Sequence, residues 1–377
     1  GGNEFRNGKP LQPRLYINEK GKFIRDFEEF NDVELNASKV IAFDFENDGD
    51  LDIVITSDQV PWQFGKTPQQ YLFINNGNGK FINQTHNISP EFLTIGNIKD
   101  IKPIDLNKDG LTDFIAVGNW MEVSIFLNDG KKFKLQKNNG LEQSNGLWNT
   151  IEVGDFDKDG DYDIIAGNWG INSKFKASFE KPIKLYKYDF DANGSLDPIV
   201  TFFYENMETT IASKDEIVKQ LPYLNKKFLS YETFANATVE DLLSPEKIKK
   251  SSIKYVYQLQ TCYFENDGAN NFKLKTLPTV TQSSSVHDIQ VLDFNNDGYE
   301  DLLLVGNTYE ISTQLGRLDA NHGILLLNDK QGNFNWENTQ DLNIKGAARS
   351  IEKISIANKN YLIVGINNEA PILLQTN

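Results

Sequence analysis

The chain has 377 residues, with 53 acidic against 38 basic side chains, a formal charge of −15, and 39% hydrophobic and 12% aromatic residues. That length and apolar content allow one large repeat array or two ordinary domains with a real core, and the acidity argues against a nucleic-acid partner, whose phosphates need a basic face. A single cysteine, Cys262, excludes an intrachain disulfide, and no apolar run reads as a membrane span or a signal peptide.

The first recognisable element is a hairpin signal: Leu15-Tyr-Ile-Asn18, a turn at Gly21, then Phe23. Asn and Gly supply the positive φ that tight turns demand. An apolar lead, Val40 to Phe43, then enters a nine-residue acidic stretch, Asp44-Phe-Glu46-Asn-Asp48-Gly49-Asp50-Leu-Asp52. Carboxylates at positions 1, 3, 5 and 9 and the position-7 carbonyl form a cage of hard oxygens suited to Ca²⁺, and glycine at position 6 permits the sharp turn. Both units return. The hairpin signal recurs at Leu72–Asn75 with Gly77, Gly79 and Phe81, and at Ile125–Asn128 with Gly130 and Phe133. Between them lies a second acidic loop, with ligands Asp105, Asn107, Asp109, Leu111 and Asp113. A third holds Asp155, Asp157, Asp159, Asp161 and Asp163, and a fourth Asp189, Asp191, Asn193, Ser195 and Asp197.

Residues 213–250 break the pattern and read as helical. Ser213-Lys-Asp-Glu216 is a capping-box signature, and Thr238 and Ser244-Pro245 are further N-cap signals. The repeat then resumes. Tyr263–Asn266 with Gly268 and Phe272 is a hairpin, and Asp293, Asn295, Asp297, Tyr299 and Asp301 form the fifth loop. Leu325–Asn328 with Gly332 and Phe334 is the last full hairpin. Near the end, Ser350–Ile356 and Tyr361–Ile366 read as an inner strand pair without an acidic loop, and Ile372–Asn377 as another Asn-ending strand.

An EF-hand needs a bidentate Glu at position 12 and flanking helices. Here position 12 is Ile55, Ala116, Ala166, Val200 and Leu304, inside short, largely β-branched runs that read as buried strands. Each loop therefore joins two strands. With the Asn strand and the Phe strand this makes a four-stranded unit of about 40–50 residues, the size of a propeller blade. Blades bury two apolar faces only against their neighbours. The expected fold is an all-β β-propeller forming one domain over 1–377, with a small helical insertion around 213–250. Counting gives six blades, with a seventh hidden between 170 and 272. Out-of-phase ends suggest one blade shared by both termini, which removes edge strands.

The Asp-x-Asp-x-Asp-Gly-x-x-Asp loops, beside Gly118-Asn119, Gly167-Asn168 and Gly306-Asn307, resemble FG-GAP/VCBS repeats. This is the calcium-binding β-propeller family that includes the integrin α-subunit head and secreted or surface bacterial proteins. The resemblance covers most of the chain from Leu15 onward, apart from 213–250. It implies seven blades and about five structural Ca²⁺ ions in loops at one rim. Five such ions would bring the formal charge of −15 to about −5. Calcium loops of this strength favour an extracellular, periplasmic or cell-surface home.

A ligand site, if present, belongs at a ring face near the axis. Lys99, Trp148, Asn149, His287 and Arg349 fall near the starts of inner strands, and Trp120, Trp169 and Arg317 just after second strands or in a face loop. Such residues suit a sugar or a peptide, although each Trp also suits packing between blades. There is no Gly-x-Ser-x-Gly elbow, no His-Glu-x-x-His and no phosphate-binding Gly loop. The expected function is a non-catalytic propeller that binds a protein or polysaccharide, free-standing or as part of a larger surface protein. The alternative is a carbohydrate-active lyase or hydrolase on the same scaffold.

Overall fold

The computed structural model describes residues 4–312, 315–338 and 342–376. Among them the architecture is all-β, with seven antiparallel sheets and few, short helices. In chain order, β1 (Leu15–Glu19) and β2 (Lys22–Asp26) form an isolated hairpin. The strands β3 (Asn36–Phe43), β4 (Asp52–Gln59), β5 (Tyr71–Asn75) and β6 (Phe81–Asn83) form a meander. So do β7 (Asn97–Ile104), β8 (Asp113–Met121), β9 (Ser124–Asn128) and β10 (Phe133–Leu135), with the short β11 (Gly146–Leu147) added to the end of β8.

The third meander is interrupted. After β12 (Thr150–Gly154) and β13 (Asp163–Gly167) the chain leaves to build a separate sheet. That sheet holds β14 (Ile183–Tyr188), β15 (Asp197–Tyr204), β16 (Met207–Thr210) and, beyond five short helices between Lys214 and Lys250, β17 (Ser252–Val256). The chain then returns as β18 (Cys262–Asn266), which pairs β13, and β19 (Phe272–Thr276). A regular meander follows: β20 (Val286–Leu292), β21 (Asp301–Gly306), β22 (Ile324–Asn328) and β23 (Phe334–Glu337). The last sheet has three strands, β24 (Ala348–Ile356), β25 (Lys359–Ile366) and β26 (Ile372–Gln375).

The sheets stack side by side because their second strands are apolar on both faces. In β8, Ile115 and Val117 pack toward β12 and β13, while Phe114 and Ala116 pack toward the β3–β6 sheet. In β13, Ile164 and Ala166 face one neighbour and Ile165 the other. In β21, Leu302 and Leu304 alternate in the same way with Leu303 and Val305. Period-two alternation thus serves two cores at once. First strands touch in sequence: β3 lies against β7, β7 against β12, β12 against β20, and β20 against β24. Ion pairs and hydrogen bonds join them. Lys39 meets Asp100 at 3.0 Å, and Lys102 meets Glu152 at 2.8 Å. Asp100 accepts from Ile151 N, and Asp288 from Ile351 N.

Two sequence expectations need correction. The sheet hidden between 170 and 272 exists, but it stands beside the row, with β17 against β8. It enters as an insertion into the third meander, which is wider than the helices of 213–250. Among the described residues the two ends do not share a sheet: β1 pairs β2 alone, and β26 pairs β25 alone. Leu15 packs instead on the β3–β6 sheet, with Phe30, Val33 and Leu35. The physical reason lies in strand type. Both ends supply an Asn-type third strand, so neither complements the other. In the first hairpin Phe23 is 70% exposed, whereas Phe133, Phe272 and Phe334 are buried.

The helical reading of the insertion holds. Ser213 and Glu216 form a reciprocal capping box, Thr238 and Asp241 another, and Ser244 caps the helix that begins at Pro245.

Candidate metal centres and the inner-strand face

Every acidic loop begins on the residue after one strand and ends on the first residue of the next: β3–β4, β7–β8, β12–β13, β14–β15 and β20–β21. Their backbones match. The position-4 residues Asn47, Lys108, Lys158, Ala192 and Asn296 all have φ between 56° and 62°, and the position-6 glycines have φ between 86° and 98°. That left-handed step at position 6 is why glycine recurs there.

The position-9 aspartates are buried. One carboxylate oxygen of each accepts from the main-chain N–H at position 2: Phe45, Leu106, Phe156, Phe190 and Phe294. In four loops the other oxygen accepts from the N–H of the Asn that ends the third strand, namely Asn75, Asn128, Asn266 and Asn328. That Asn is thus a structural partner of the loop as well as a turn residue. Its side chain reaches further. Asn128 Nδ2 donates to Phe45 O at 3.0 Å, and Asn328 Nδ2 to Phe156 O at 2.7 Å, each in the neighbouring sheet's loop.

Position 4 makes a second link. Asn47 Nδ2 donates to Gly110 O at 3.1 Å, Lys108 Nζ to Gly160 O, and Lys158 Nζ to Gly298 O at 2.5 Å. Loops 44–52, 105–113, 155–163 and 293–301 therefore form one chain of contacts along one rim. The loop 189–197 lies outside it. There Gln220 Nε2 donates to Asp197 Oδ1 at 3.4 Å, and Lys247 Nζ to Phe190 O at 2.6 Å. Sequence reasoning missed these position-4 and insertion residues. The only available signal was their placement inside or after the motif.

The donor set fits a hard divalent cation. Asp155, Asp157 and Asp159 each bring an oxygen within 4.8 Å of the others, as do Asp189, Asp191 and Asp197. Asp155 Oδ1 is buried with no hydrogen-bond partner, which a cation would supply. Burial, reinforced by neighbouring carboxylates, pushes Asp113 and Asp163 up to about 6. Glu46, Asp52, Asp157, Asp197 and Asp301 are raised for the same reasons. Such clusters are destabilised as anions until a cation offsets them. The residues at the third, fifth and seventh positions vary, with Asn107 and Asn295 replacing acids at position 3, Asn193 at position 5, and Asp50, Leu111, Asp161, Ser195 and Tyr299 at position 7.

Four of the face residues expected from sequence do gather. Lys99, Asn149, His287 and Arg349 sit at or beside the starts of β7, β12, β20 and β24, the strands that touch in turn. Lys99 pairs with Asp58 at 2.8 Å, Asn149 Nδ2 donates to Val286 O, and Arg349 Nη1 donates to Asn307 O at 2.6 Å. His287 Nε2 lies 2.9 Å from Thr308 Oγ1. Burial, then Arg349 and Lys99, push the imidazole down to about 3, so it stays neutral. The tryptophans belong elsewhere. Trp148 is fully buried, with its Nε1 donating to Ser144 O. Trp120 and Trp169 pack around Phe175 and Phe202 against the inserted sheet. Arg317 is exposed and lies 4.3 Å over the Tyr309 ring. Cys262 is a buried free thiol, raised by burial.

Residues 44–116 and 105–166 match the family model of the FG-GAP-like repeat. A search of curated proteins gives no match. Among solved structures, an Agrocybe aegerita lectin that recognises non-reducing terminal N-acetylglucosamine is 16% identical, with 88% of this chain and 75% of that chain covered and a TM-score of 0.32. The V. cholerae biofilm matrix protein Bap1 is 10% identical, with 97% and 73% covered and a TM-score of 0.34. Likeness at those scores says nothing about a ligand.

Proposed function

From a chain that carries FG-GAP-like repeats, we propose a non-catalytic, calcium-stabilised β-propeller that binds a protein or glycan outside the cytosol. About five Ca²⁺ ions occupy the acidic loops through the residues at positions 1, 3, 5, 7 and 9. The observation that carries this reading is the rim itself: four loops of one backbone, each tied to the next through position 4, with the orphaned oxygen of Asp155 among their acids. Calcium demand of this kind suits a compartment rich in the ion. No helix among the described residues is long and apolar enough to cross a membrane.

The ring takes six positions in this proposal. Five meanders touch through their first strands, and the β1–β2 hairpin, beside the β3–β6 sheet, marks the sixth. The inserted sheet is not a blade. The ligand face is the end where Lys99, Asn149, His287 and Arg349 converge. Support for a binding role comes from the axial acids: Asp100 and Glu152 pair with lysines, and Asp288 accepts from main-chain N–H groups. A glycan and protein array in calcium buffer, with polysaccharide degradation assayed alongside, tests this. Binding of a protein or an uncharged glycan without turnover, lost in His287→Ala/Arg349→Ala, is the expected result. Turnover of any polymer would instead support the lyase or hydrolase reading.

A further inference from the structure

We propose that the junction between the β4–β5 connection and the inserted sheet is a second binding site, selective for an acidic polysaccharide. A cleft of about 570 Å³ lies there, lined among others by Arg6, Trp62, Phe64, Lys66, Lys187 and Ser195. It is separate from the inner-strand face.

The aromatic wall is held rigidly. Gln63 N donates to Val60 O and Lys66 N to Gln63 O, which closes two consecutive turns. Gly65, at φ +77°, packs so tightly on β14 that a Cβ would come within 2.4 Å of Leu185 Cδ2. Lys187 Nζ donates to Gly65 O at 3.3 Å from the same strand. Trp62 sits at φ 64°, a left-handed conformation that bulky residues rarely adopt. Yet its side chain is not buried: Trp62 is 67% exposed and Phe64 56%. A constrained turn that presents two rings to water is a stacking platform.

The other wall is basic. Arg6, Lys66 and Lys187 line it together. Arg6, Lys66 and Lys187 form no ion pair among the described residues. The acids of the 189–197 loop belong to the adjoining β14–β15 turn, where Ser195 reaches the cleft. Three bases lining one cleft without a salt bridge, in a chain of charge −15, call for an anion.

The rest of the lining selects the polymer. An indole and a phenyl ring stack on the C–H face of a sugar, the Gln63 amide and Ser195 hydroxyl bond its hydroxyls, and lysine and arginine hold a carboxylate or sulfate ester. A peptide would need an anchor pocket or a free strand edge. The flanking strands offer no edge, since β4, β5, β14 and β15 are each paired on both sides.

The test is titration calorimetry of the full chain with four probes of matched length: an oligogalacturonate, a dextran sulfate, neutral dextran and poly-glutamate. Binding to either acidic sugar, weakened about 10-fold or more by Lys66→Ala/Lys187→Ala and several-fold by Trp62→Ala, is the expected outcome. The tighter of the two identifies the anion. Melting curves confirm that the variants fold, and His287→Ala/Arg349→Ala should leave this binding unchanged. Equal binding of poly-glutamate, equal binding of neutral dextran, indifference to the lysine substitutions, or no binding of either acidic sugar would each overturn the proposal.

Discussion

The loops Asp155–Asp163 and Asp189–Asp197 share one pattern and one backbone trace but are completed by different kinds of partner. In the first, the buried position-9 Asp163 accepts from Phe156 N, Asn266 N and Tyr263 Oη, all from the loop or the adjoining strand β18. In the second, Asp197 accepts from Phe190 N and from Gln220 Nε2 of the helical insertion. The carbonyl of Phe156 receives Asn328 Nδ2 from a neighbouring sheet, whereas that of Phe190 receives Lys247 Nζ from a helix. The comparison teaches that nine residues dictate a loop, while the rest of the chain dictates what closes it. A helix can stand in for a strand if it delivers a donor to the same acceptor.

Removing calcium from both loops should have the largest effect. Chelation is expected to lower the melting temperature by on the order of 10 °C or more, because several clustered carboxylates lose their counter-charge together. Differential scanning fluorimetry with and without excess EGTA measures it. Next, Asp163→Ala should cost about 3–5 kcal/mol, more than Asp197→Ala at about 2–3 kcal/mol, since it strands more buried donors. Denaturant unfolding of the two variants compares them directly, and equal costs would erase the distinction drawn between the loops.

Acidity sharpens the same contrast. Burial holds the carboxyls of folded Asp113 and Asp163 up at about 6, above the ordinary aspartate range. The calcium-free folded state therefore binds more protons than the unfolded chain between about pH 4 and 6, and its stability rises as pH falls through 6. The chelated protein should melt higher at pH 5 than at pH 7. Calcium-loaded protein should lack that gain, because the ion removes the carboxylate penalty. Lys247→Ala should cost about 1 kcal/mol and act locally, raising amide exchange in 214–250 without altering the rim. The smallest effect belongs to Asp329→Ala. Asp329 holds an exposed turn through Gln331 N and Asn333 N, so its loss should fall below about 1 kcal/mol and below that of Asp159→Ala in calcium.

Much of this was readable before the structure. The five acidic stretches fall between strands at the positions expected, because glycine at position 6 and an apolar run after position 9 leave few other conformations. The capping boxes at Ser213 and Thr238 were equally local. Long-range arrangement was not readable. Nothing in Asp189–Asp197 says that its sheet stands beside the row, since the strands on either side of an insertion carry the same alternation as those of a blade. Trp148 precedes an inner strand like the face residues do, yet Ser144 O draws its indole inward. Nor does the motif reveal that position 4 reaches the next loop, a contact set by how sheets pack and not by the nine residues themselves.

The most direct measurement is calorimetric titration of calcium into chelator-stripped protein. Binding of about five equivalents, with a matching rise in melting temperature and a loss of sites in Asp155→Ala and Asp189→Ala, is the expected result. Absence of binding heat together with an unchanged melting curve would contradict the claim that cations clamp these turns.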